Sequence, residues 1–319
     1  MNPLRTGAPP PSKPLNIAHR GARAFAPENT LPAFIKAVEL GCPMIELDVH
    51  MSKDGEIVVH HDHRLERCTD VAAKFPGRNS YFVSDFTSRE LRTLDAGRWF
   101  ADEVSRPSGE RQSFLQGLTE EEIEEFIPSH HRQLYASGAV QLPTLDEALR
   151  FAKHAGIMVD VEIKTLPRMY RGLAEAVVGL IVSMQMEDRV LISSFDHEQL
   201  VAVRARTDAV ALGVLTSGRI GRPGDYLRLL DADTYLPSGT GEDDSLGFGS
   251  VSGELDFSST IQVRAAGGQV MVWTCNDPNQ IRRLIAVGVT GIISDYPNRV
   301  RRVLDDECGG DSPSESRRV

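Results

Sequence analysis

Short apolar runs alternate with segments of helical periodicity along most of the chain, and this alternation restricts the folds that it can adopt. Eight runs are strand candidates, at residues 15–18, 44–49, 158–163, 190–193, 211–215, 234–236, 270–274 and 291–293. Helix candidates lie at residues 31–40, 145–155, 173–186, 197–206, 258–266, 278–287 and 299–305. Strands that alternate with helices form parallel sheets, because a parallel connection requires a crossover segment. Eight such strands in a chain of 319 residues predict an α/β fold, one (β/α)8 TIM barrel.

Chemically reactive or aromatic side chains lie in, or directly after, six of these strands. They are His19 and Arg20, Glu46 and Asp48, Glu162 and Lys164, Phe195, Trp273, and Asp295. In a parallel barrel the carboxyl ends of the strands meet at one face, where active sites form. A doubly wound sheet would not gather side chains from so many strands around one axis, so we favour the barrel.

Three carboxylates in two apolar strands predict a metal site. Glu46 and Asp48 are two residues apart, so their side chains share one face of a strand. Glu162 lies in the next barrel strand. Burying unpaired charge is costly unless a cation compensates it, and carboxylate oxygens suit hard divalent cations. We expect these residues to hold one divalent cation, Mg²⁺ or Ca²⁺, which ligand identity alone does not distinguish.

An ordered set of short motifs accompanies these strands. The chain reads HRGARAFAPENT at 19–30, IELDVHMSKDG at 45–55, VVHHDHRLERCTD at 58–70, VEIK at 161–164, SSFDH at 193–197, VWTCN at 272–276 and GIISDYP at 291–297. This set resembles the glycerophosphodiester phosphodiesterase family, over residues 15–302. The resemblance implies a metal-dependent hydrolase that cleaves a phosphodiester into an alcohol and glycerol 3-phosphate.

The same resemblance implies roles for two histidines. His19 of HRG and His61, which directly precedes Asp62, match the family's general acid/base residues. An imidazole with an unperturbed pKa of about 6.5 serves as either acid or base near neutral pH. His60 and His63 adjoin His61 in the sequence, and we interpret them as flanking residues.

Substrate contacts are also implied. Arg20 and Lys164 are the expected phosphate-facing cations, with a routine ion pair as the competing interpretation for each. Phe195 and Trp273 are expected either to wall the pocket or to belong to the barrel core. The attacking nucleophile is a water or a neighbouring hydroxyl of the substrate, and the second route passes through a cyclic phosphate.

Three other functions fit the same residues. The barrel could act on lysophospholipids as a lysophospholipase D. It could bind phosphate-containing ligands without catalysis, although binding alone requires neither the histidine pair nor the carboxylate trio. An acidic stretch near residue 120 could also serve as a surface for a partner.

The rhythm of strands and helices is interrupted in two places. Residues 101–142, between the second and third barrel strands, contain a capping-box pair, Thr119 and Glu122, and predict a helical insertion over the active-site mouth. Within it we expect Glu120–Glu125 to be mostly solvent-facing, while Ile123, Phe126 and Ile127 pack inward. Residues 237–257 predict a mobile loop. Residues 1–14 and 307–319 are expected to be disordered, which leaves 15–306 as the barrel domain.

Composition limits the class of protein and of partner. The chain has 35 Lys and Arg against 45 Asp and Glu, a formal net charge of −10, which argues against non-specific binding to nucleic acid or anionic membranes. Its four cysteines form no CxxC pair. No stretch reads as a secretory signal or membrane span. We expect a cytoplasmic protein with a small-molecule phosphodiester substrate; the sequence leaves its oligomeric state open.

Overall fold

A closed parallel barrel forms the body of the protein. The computed structural model describes residues 2–9, 11–165, 170–239 and 257–308. Its strands are β1 (Leu15–Ala18), β2 (Met44–Met51), β3 (Ile57–Val59), β4 (Met158–Ile163), β5 (Val190–Ser194), β6 (Ala211–Thr216), β7 (Thr234–Pro237), β8 (Gln269–Val272) and β9 (Gly291–Ser294). All of them except β3 pair in parallel, and β1 closes the barrel by pairing with both β2 and β9. The predicted (β/α)8 TIM barrel is confirmed.

Helices connect the barrel strands on the outside. They are α1 (Leu31–Glu39), α2 (Val71–Lys74), α3 (Ser88–Leu91), α4 (Arg98–Ser105), α5 (Ser113–Gln116), α6 (Glu120–Phe126), α7 (Ser129–Ala136), α8 (Leu145–Ala155), α9 (Leu173–Ser183), α10 (His197–Arg204), α11 (Pro223–Leu230), α12 (Ser258–Ala265), α13 (Pro278–Ala286) and α14 (Pro297–Cys308). Sequence patterns missed α11, because the stretch that leads into it is rich in Gly, Pro and Arg and offers little apolar periodicity.

The strand β3 was also missed, and it positions part of the active site. It is three residues long and pairs antiparallel with β2, with Val49 opposite Val59 and Met51 opposite Ile57. The chain therefore turns back along β2, and the amide of His60 donates to the carbonyl of Asp48 at 3.0 Å. This hairpin brings the histidines that follow β3 next to Asp48 in β2.

The insertion at residues 101–142 is helical, as expected, and contains most of α4 and all of α5, α6 and α7. Ile123 and Ile127 are buried, and Phe126 packs against Phe25 with ring centroids 4.7 Å apart. The glutamates of α6 are exposed except Glu122, which is partly buried because it binds Arg299 of α14. The segment thus packs on the barrel through an apolar face.

The N-terminal segment differs from the expectation for residues 1–14. Leu4 is 1% exposed and packs in a cluster with Ile17 and Met44. The amide of Thr6 donates to Asp233 Oδ1 at 2.9 Å, and Arg5 Nε lies 3.0 Å from the same oxygen. Disorder is therefore the wrong prediction for this stretch, because one apolar side chain and one ion pair attach it to the amino end of the barrel.

The other two irregular segments are described only in part. Pro237 closes β7, and residues 240–256 of the predicted loop at 237–257 lie outside the described residues. In the predicted tail at 307–319, α14 continues through residues 307 and 308, and 309–319 lie outside the described residues. Within the described ranges, every helix is too short or too polar to cross a lipid bilayer.

Candidate active site

A cavity of about 340 Å³ opens at the carboxyl ends of the barrel strands. It is lined by eight residues that the sequence singled out: His19, Arg20, Glu46, His61, Glu162, Lys164, Phe195 and Trp273. The remaining predicted residue, Asp48, is buried beside them. The closed barrel thus brings together side chains that are far apart along the sequence.

Glu46, Asp48 and Glu162 form a compact buried cluster. One carboxylate oxygen from each lies within 4.8 Å of the others. Asp48 and Glu162 are direct neighbours across the β2–β4 pairing. Glu46 Oε2 accepts the Arg20 amide at 2.8 Å, whereas Glu46 Oε1 is buried without a hydrogen-bond partner. A buried carboxylate oxygen without a donor is a costly arrangement that a cation would relieve.

The charge in this cluster is only partly balanced. Lys164 Nζ lies 3.1 Å from Asp48 Oδ1 and 2.5 Å from Glu162 Oε1. Burial and the nearby carboxylates Asp48 and Glu162 raise the pKa of Glu46 well above its ordinary value. Burial raises the pKa of Glu162 to about 7, even though Lys164 opposes the shift. These oxygens fit a hard divalent cation, whose charge would stabilise all three carboxylates in ionised form.

Asp160 is a fourth buried carboxyl at this site, and sequence reasoning missed it. It precedes Glu162 by two residues in β4, so the two share one strand face and line the same cavity. Ser193 Oγ donates to Asp160 Oδ1 at 2.6 Å, and burial raises the pKa of Asp160 to about 8. The alternation of Asp160, Glu162 and Lys164 was the signal that would have revealed it.

His19 is held by a carboxylate from the last barrel strand. Its Nδ1 lies 2.7 Å from Asp295 Oδ1, and its Nε2 points towards Glu46 Oε2 at 3.9 Å. Burial raises the pKa of Asp295, but Arg23 and His19 together lower it by more. This carboxylate is therefore ionised and can only accept hydrogen bonds. Burial, together with Arg23 and Arg20, lowers the pKa of His19 to about 4. His19 is therefore neutral at pH 7, with the proton on Nδ1 and a free lone pair on Nε2.

His61, which lines the same cavity, has an equivalent arrangement. Its Nδ1 lies 2.6 Å from Asp62 Oδ1, and Arg67 Nε donates to Asp62 Oδ2 at 2.7 Å. Burial, Arg20 and Lys164 lower the pKa of His61 to about 3. The backbone carbonyl of His61 is 3.0 Å from His50 Nε2, which fixes the loop. His61 is thus a second neutral imidazole with an available Nε2.

The neighbouring histidines have different environments. His60 is buried, and its Nε2 lies 3.1 Å from the carbonyl of Arg64. The ring of His63 stacks on Phe82 with centroids 5.8 Å apart. Neither lines the cavity, whereas His61 does.

Arg20 and Gly21 form the tight turn after β1. Arg20 has a φ of 52°, and its guanidinium binds Glu28 at 2.9 Å while its Nε lies 3.6 Å from Asp48. Gly21 has a φ of 74°, and a Cβ there would approach the backbone of Ala33 to 2.7 Å. Glycine is required at this point, because any side chain would move α1 away from the turn that carries His19.

The aromatic residues and the insertion complete the wall of the cavity. Phe195 and Trp273 meet edge to face, with centroids 5.4 Å apart, and Phe195 is 40% exposed at the mouth. Gln112 and Phe114 of the insertion also line the cavity. Sequence reasoning missed the last two, because no periodic pattern indicates which side of an irregular insertion faces a cavity.

Sequence comparisons find similar proteins over most of the chain. A model of the glycerophosphoryl diester phosphodiesterase family matches residues 19–299. A glycerophosphodiester phosphodiesterase from Bacillus altitudinis is 31% identical over 91% of this chain and 98% of the relative. One from Caldanaerobacter subterraneus subsp. tengcongensis is 30% identical over 89% of this chain and 95% of the relative.

Solved structures share the fold. An Oleispira antarctica phosphodiesterase in complex with the product sn-glycerol-3-phosphate is 26% identical, with a TM-score of 0.68 over 92% of this chain and 97% of that chain. A glycerophosphodiester phosphodiesterase from Agrobacterium tumefaciens is 24% identical, with a TM-score of 0.61 over 90% of this chain and 98% of that chain. The second likeness supports the barrel architecture alone.

Proposed function

Because this chain belongs to the glycerophosphoryl diester phosphodiesterase family, we propose that it hydrolyses glycerophosphodiesters to an alcohol and glycerol 3-phosphate. The observation that carries the proposal is the placement of two neutral imidazoles, His19 and His61, in one cavity with a buried carboxylate trio. Each imidazole is oriented by its own ionised aspartate. Such pairs suit general acid/base chemistry rather than ligand binding alone.

Glu46, Asp48 and Glu162 are the residues that would hold a divalent cation. When bound there, it would supply positive charge to the phosphoryl oxygens of the substrate. The oxygen-only ligand set suits both Mg²⁺ and Ca²⁺. Lys164 contacts two of these carboxylates, so it would add a positive charge next to the same phosphate.

The two histidines would move protons at their Nε2 atoms. One imidazole accepts the proton of the attacking oxygen while that oxygen bonds to phosphorus. The bond to the leaving oxygen then breaks, and the other imidazole in its protonated form donates a proton to that oxygen. The anionic phosphodiester and the aspartate partner both favour the protonated form of the donor, so substrate binding would raise the pKa of a histidine that is neutral in the free protein.

The size of the cavity favours a small substrate. About 340 Å³ falls at the lower end of the usual range for small-molecule sites, about 300 to 1,000 Å³. The attacking oxygen is either a water or a neighbouring glycerol hydroxyl. The second route would release a cyclic phosphate before the final product, and a time course that follows phosphorus species separates the two.

A substrate panel tests the proposal. The purified protein, first stripped with a chelator, is assayed on glycerophosphocholine, glycerophosphoethanolamine, glycerophosphoinositol and lysophosphatidylcholine with added Mg²⁺, Ca²⁺ or Mn²⁺. We expect release of glycerol 3-phosphate from at least one short diester. Preference for lysophosphatidylcholine would favour a lysophospholipase D, and binding without turnover of any diester would favour a non-catalytic barrel.

A further inference from the structure

Glu28 is a buried carboxylate, 4% exposed, that contacts three arginines. Its Oε1 accepts hydrogen bonds from Arg20 Nη1 at 2.9 Å and Arg67 Nη2 at 2.6 Å. Its Oε2 accepts from Arg67 Nη1 at 3.0 Å and lies 3.7 Å from Arg23 Nη1. Burial raises the pKa of this carboxyl, but Arg20 and Arg67 lower it further than burial raises it. Glu28 is therefore ionised and holds the guanidinium groups in fixed positions.

The contact between Glu28 and Arg23 leads to His19. Arg23 donates to Asp295 Oδ1 from Nε at 2.5 Å and to Oδ2 from Nη2 at 3.2 Å. Asp295 is the carboxylate that accepts from Nδ1 of His19. The orientation of this imidazole therefore depends on where Arg23 is held.

The contact between Glu28 and Arg67 leads to His61 in the same way. Arg67 donates to Asp62 Oδ2 from Nε at 2.7 Å and to Oδ1 from Nη2 at 3.0 Å. Asp62 is the partner of His61 Nδ1. Glu28 thus contacts two arginines, and each arginine binds the aspartate that is the partner of a histidine in the cavity.

We propose that Glu28 is a positioning residue that sets the placement of both histidine–aspartate pairs through Arg23 and Arg67. The inference rests on the roles given above to His19 and His61 and extends them. Glu28 does not line the cavity, so its contribution is indirect. It keeps the two imidazoles at a fixed separation across the phosphate, as acid and base on opposite sides of one reacting centre require.

The insertion contacts the same two arginines. Arg67 Nη1 donates to Gln112 Oε1 at 3.3 Å, and the Arg23 guanidinium lies 4.0 Å from the centroid of the Phe114 ring. The insertion therefore contacts both arginines that connect Glu28 to the histidine–aspartate pairs.

Glu28→Gln is the variant that tests this role. Glutamine retains the shape but not the charge, so Arg23 and Arg67 lose a shared anion and can turn towards other carboxylates. We expect kcat on glycerophosphocholine to fall about 10- to 100-fold, which is the usual effect of removing a residue that orients the side chains of a site without touching the substrate. KM should change much less than kcat, because the groups that contact the substrate remain and Arg20 keeps a second carboxylate partner, Asp48.

Leaving-group dependence separates positioning from a general loss of structure. A p-nitrophenyl diester of glycerol phosphate releases a phenolate that needs little protonation, whereas glycerophosphocholine releases an alkoxide that needs a proton donor. Misplaced histidines should therefore slow the choline ester more than the aryl ester. A merely loosened barrel would slow both by the same factor.

Asp233→Asn provides the matched control. Asp233 is also buried and contacts two arginines, Arg5 and Arg204, but it lies at the opposite end of the barrel. We expect this variant to lose stability without a change in kcat or in leaving-group dependence. Comparing the two variants separates the specific effect of Glu28 on catalysis from the general effect of neutralising a buried carboxylate that contacts arginines.

Two further variants keep the test decisive. Glu28→Asp retains the charge but shortens the side chain, and it replaces Glu28→Gln if that protein does not fold. Arg67→Gln breaks one connection, so its effect on kcat should be less than additive with that of the Glu28 variant. A folded Glu28 variant with kcat within about twofold of wild type, or with equal losses on both esters, overturns the proposal. Wild-type protein that turns over none of the diesters would instead overturn the proposed function. Activity that persists in His19→Ala and His61→Ala would overturn the histidine roles on which this inference rests.

Discussion

The Nδ1 atom of His19 lies 2.7 Å from an oxygen of Asp295, although 276 positions separate the two residues in the sequence. The contact exists because β1 and β9 are neighbours in the closed barrel, with Ala18 directly opposite Ser294. The amide of His19 also donates to the carbonyl of Ser294 at 3.0 Å. Closure of the sheet is therefore what assembles the first histidine–aspartate pair.

The first prediction concerns the histidines. His19→Ala and His61→Ala should each lower kcat by about 10² to 10⁴-fold, the usual contribution of a general acid or base. His60→Ala and His63→Ala should leave kcat much closer to wild type, because neither residue lines the cavity. Steady-state kinetics on glycerophosphocholine, with circular dichroism to check folding, makes the comparison. An inactive His60→Ala beside a normal His61→Ala would show that the register is wrong.

A second prediction concerns the cation. Glu46→Gln, Asp48→Asn and Glu162→Gln should each weaken the binding of Mg²⁺ or Ca²⁺ to chelator-treated protein, because each removes a charged oxygen ligand. Titration calorimetry measures the change without relying on turnover. Glu147→Gln, a half-exposed carboxylate on α8, is the control and should bind the ion as wild type does. Unchanged affinity in all three variants would remove these residues as ligands.

A third prediction separates the two faces of the insertion. Phe114→Ala removes a ring that lines the cavity and stacks on Arg23, so it should raise KM or alter the ranking of headgroups more than it alters metal affinity. Phe126→Ala is the control, since this ring packs on Phe25 instead. It should lower stability and leave the ranking unchanged. Identical kinetics of the Phe114 variant and wild type on every diester would deny the insertion a role in specificity.

A fourth prediction concerns the N-terminal segment. Leu4 is 1% exposed, and Leu4→Ala should reduce the free energy of unfolding by about 2 kcal/mol, the lower end for a buried leucine. Kinetics should be unaffected, because Leu4 packs at the barrel end opposite the cavity. Leu229→Ala, at a site 78% exposed, should be neutral. Urea denaturation that gives the same midpoint for both variants would mean that residues 2–8 do not add to the core.

The sequence predicted the residues that regular strands carry. Glu46 and Asp48 follow the two-residue period of β2, and His19 directly follows β1, so the barrel geometry places them without further information. Asp160 follows the same two-residue period in β4, so the sequence pattern was sufficient to predict its position.

Apart from Asp160, the site residues that sequence reasoning did not place lie outside the barrel strands. Glu28, Arg67 and Gln112 meet because a turn, a loop and the insertion are folded over the barrel, and no period sets the direction of their side chains. The strand β3 was too short to give a pattern, although its pairing with β2 brings His61 to the site. Local sequence patterns were thus sufficient to predict the fold. The ion pairs that position the histidines depend on contacts between residues that are far apart in the sequence, which such patterns do not predict.

Phosphorus NMR of one reaction tests the central claim most directly. Glycerophosphocholine is incubated with chelator-stripped wild-type protein, and a divalent ion is then added to the same tube. We predict no change before the addition and conversion of the diester signal into that of glycerol 3-phosphate after it. Conversion at the full rate in excess chelator, or an unchanged diester signal with Mg²⁺, Ca²⁺ and Mn²⁺ each supplied in turn, would contradict the account.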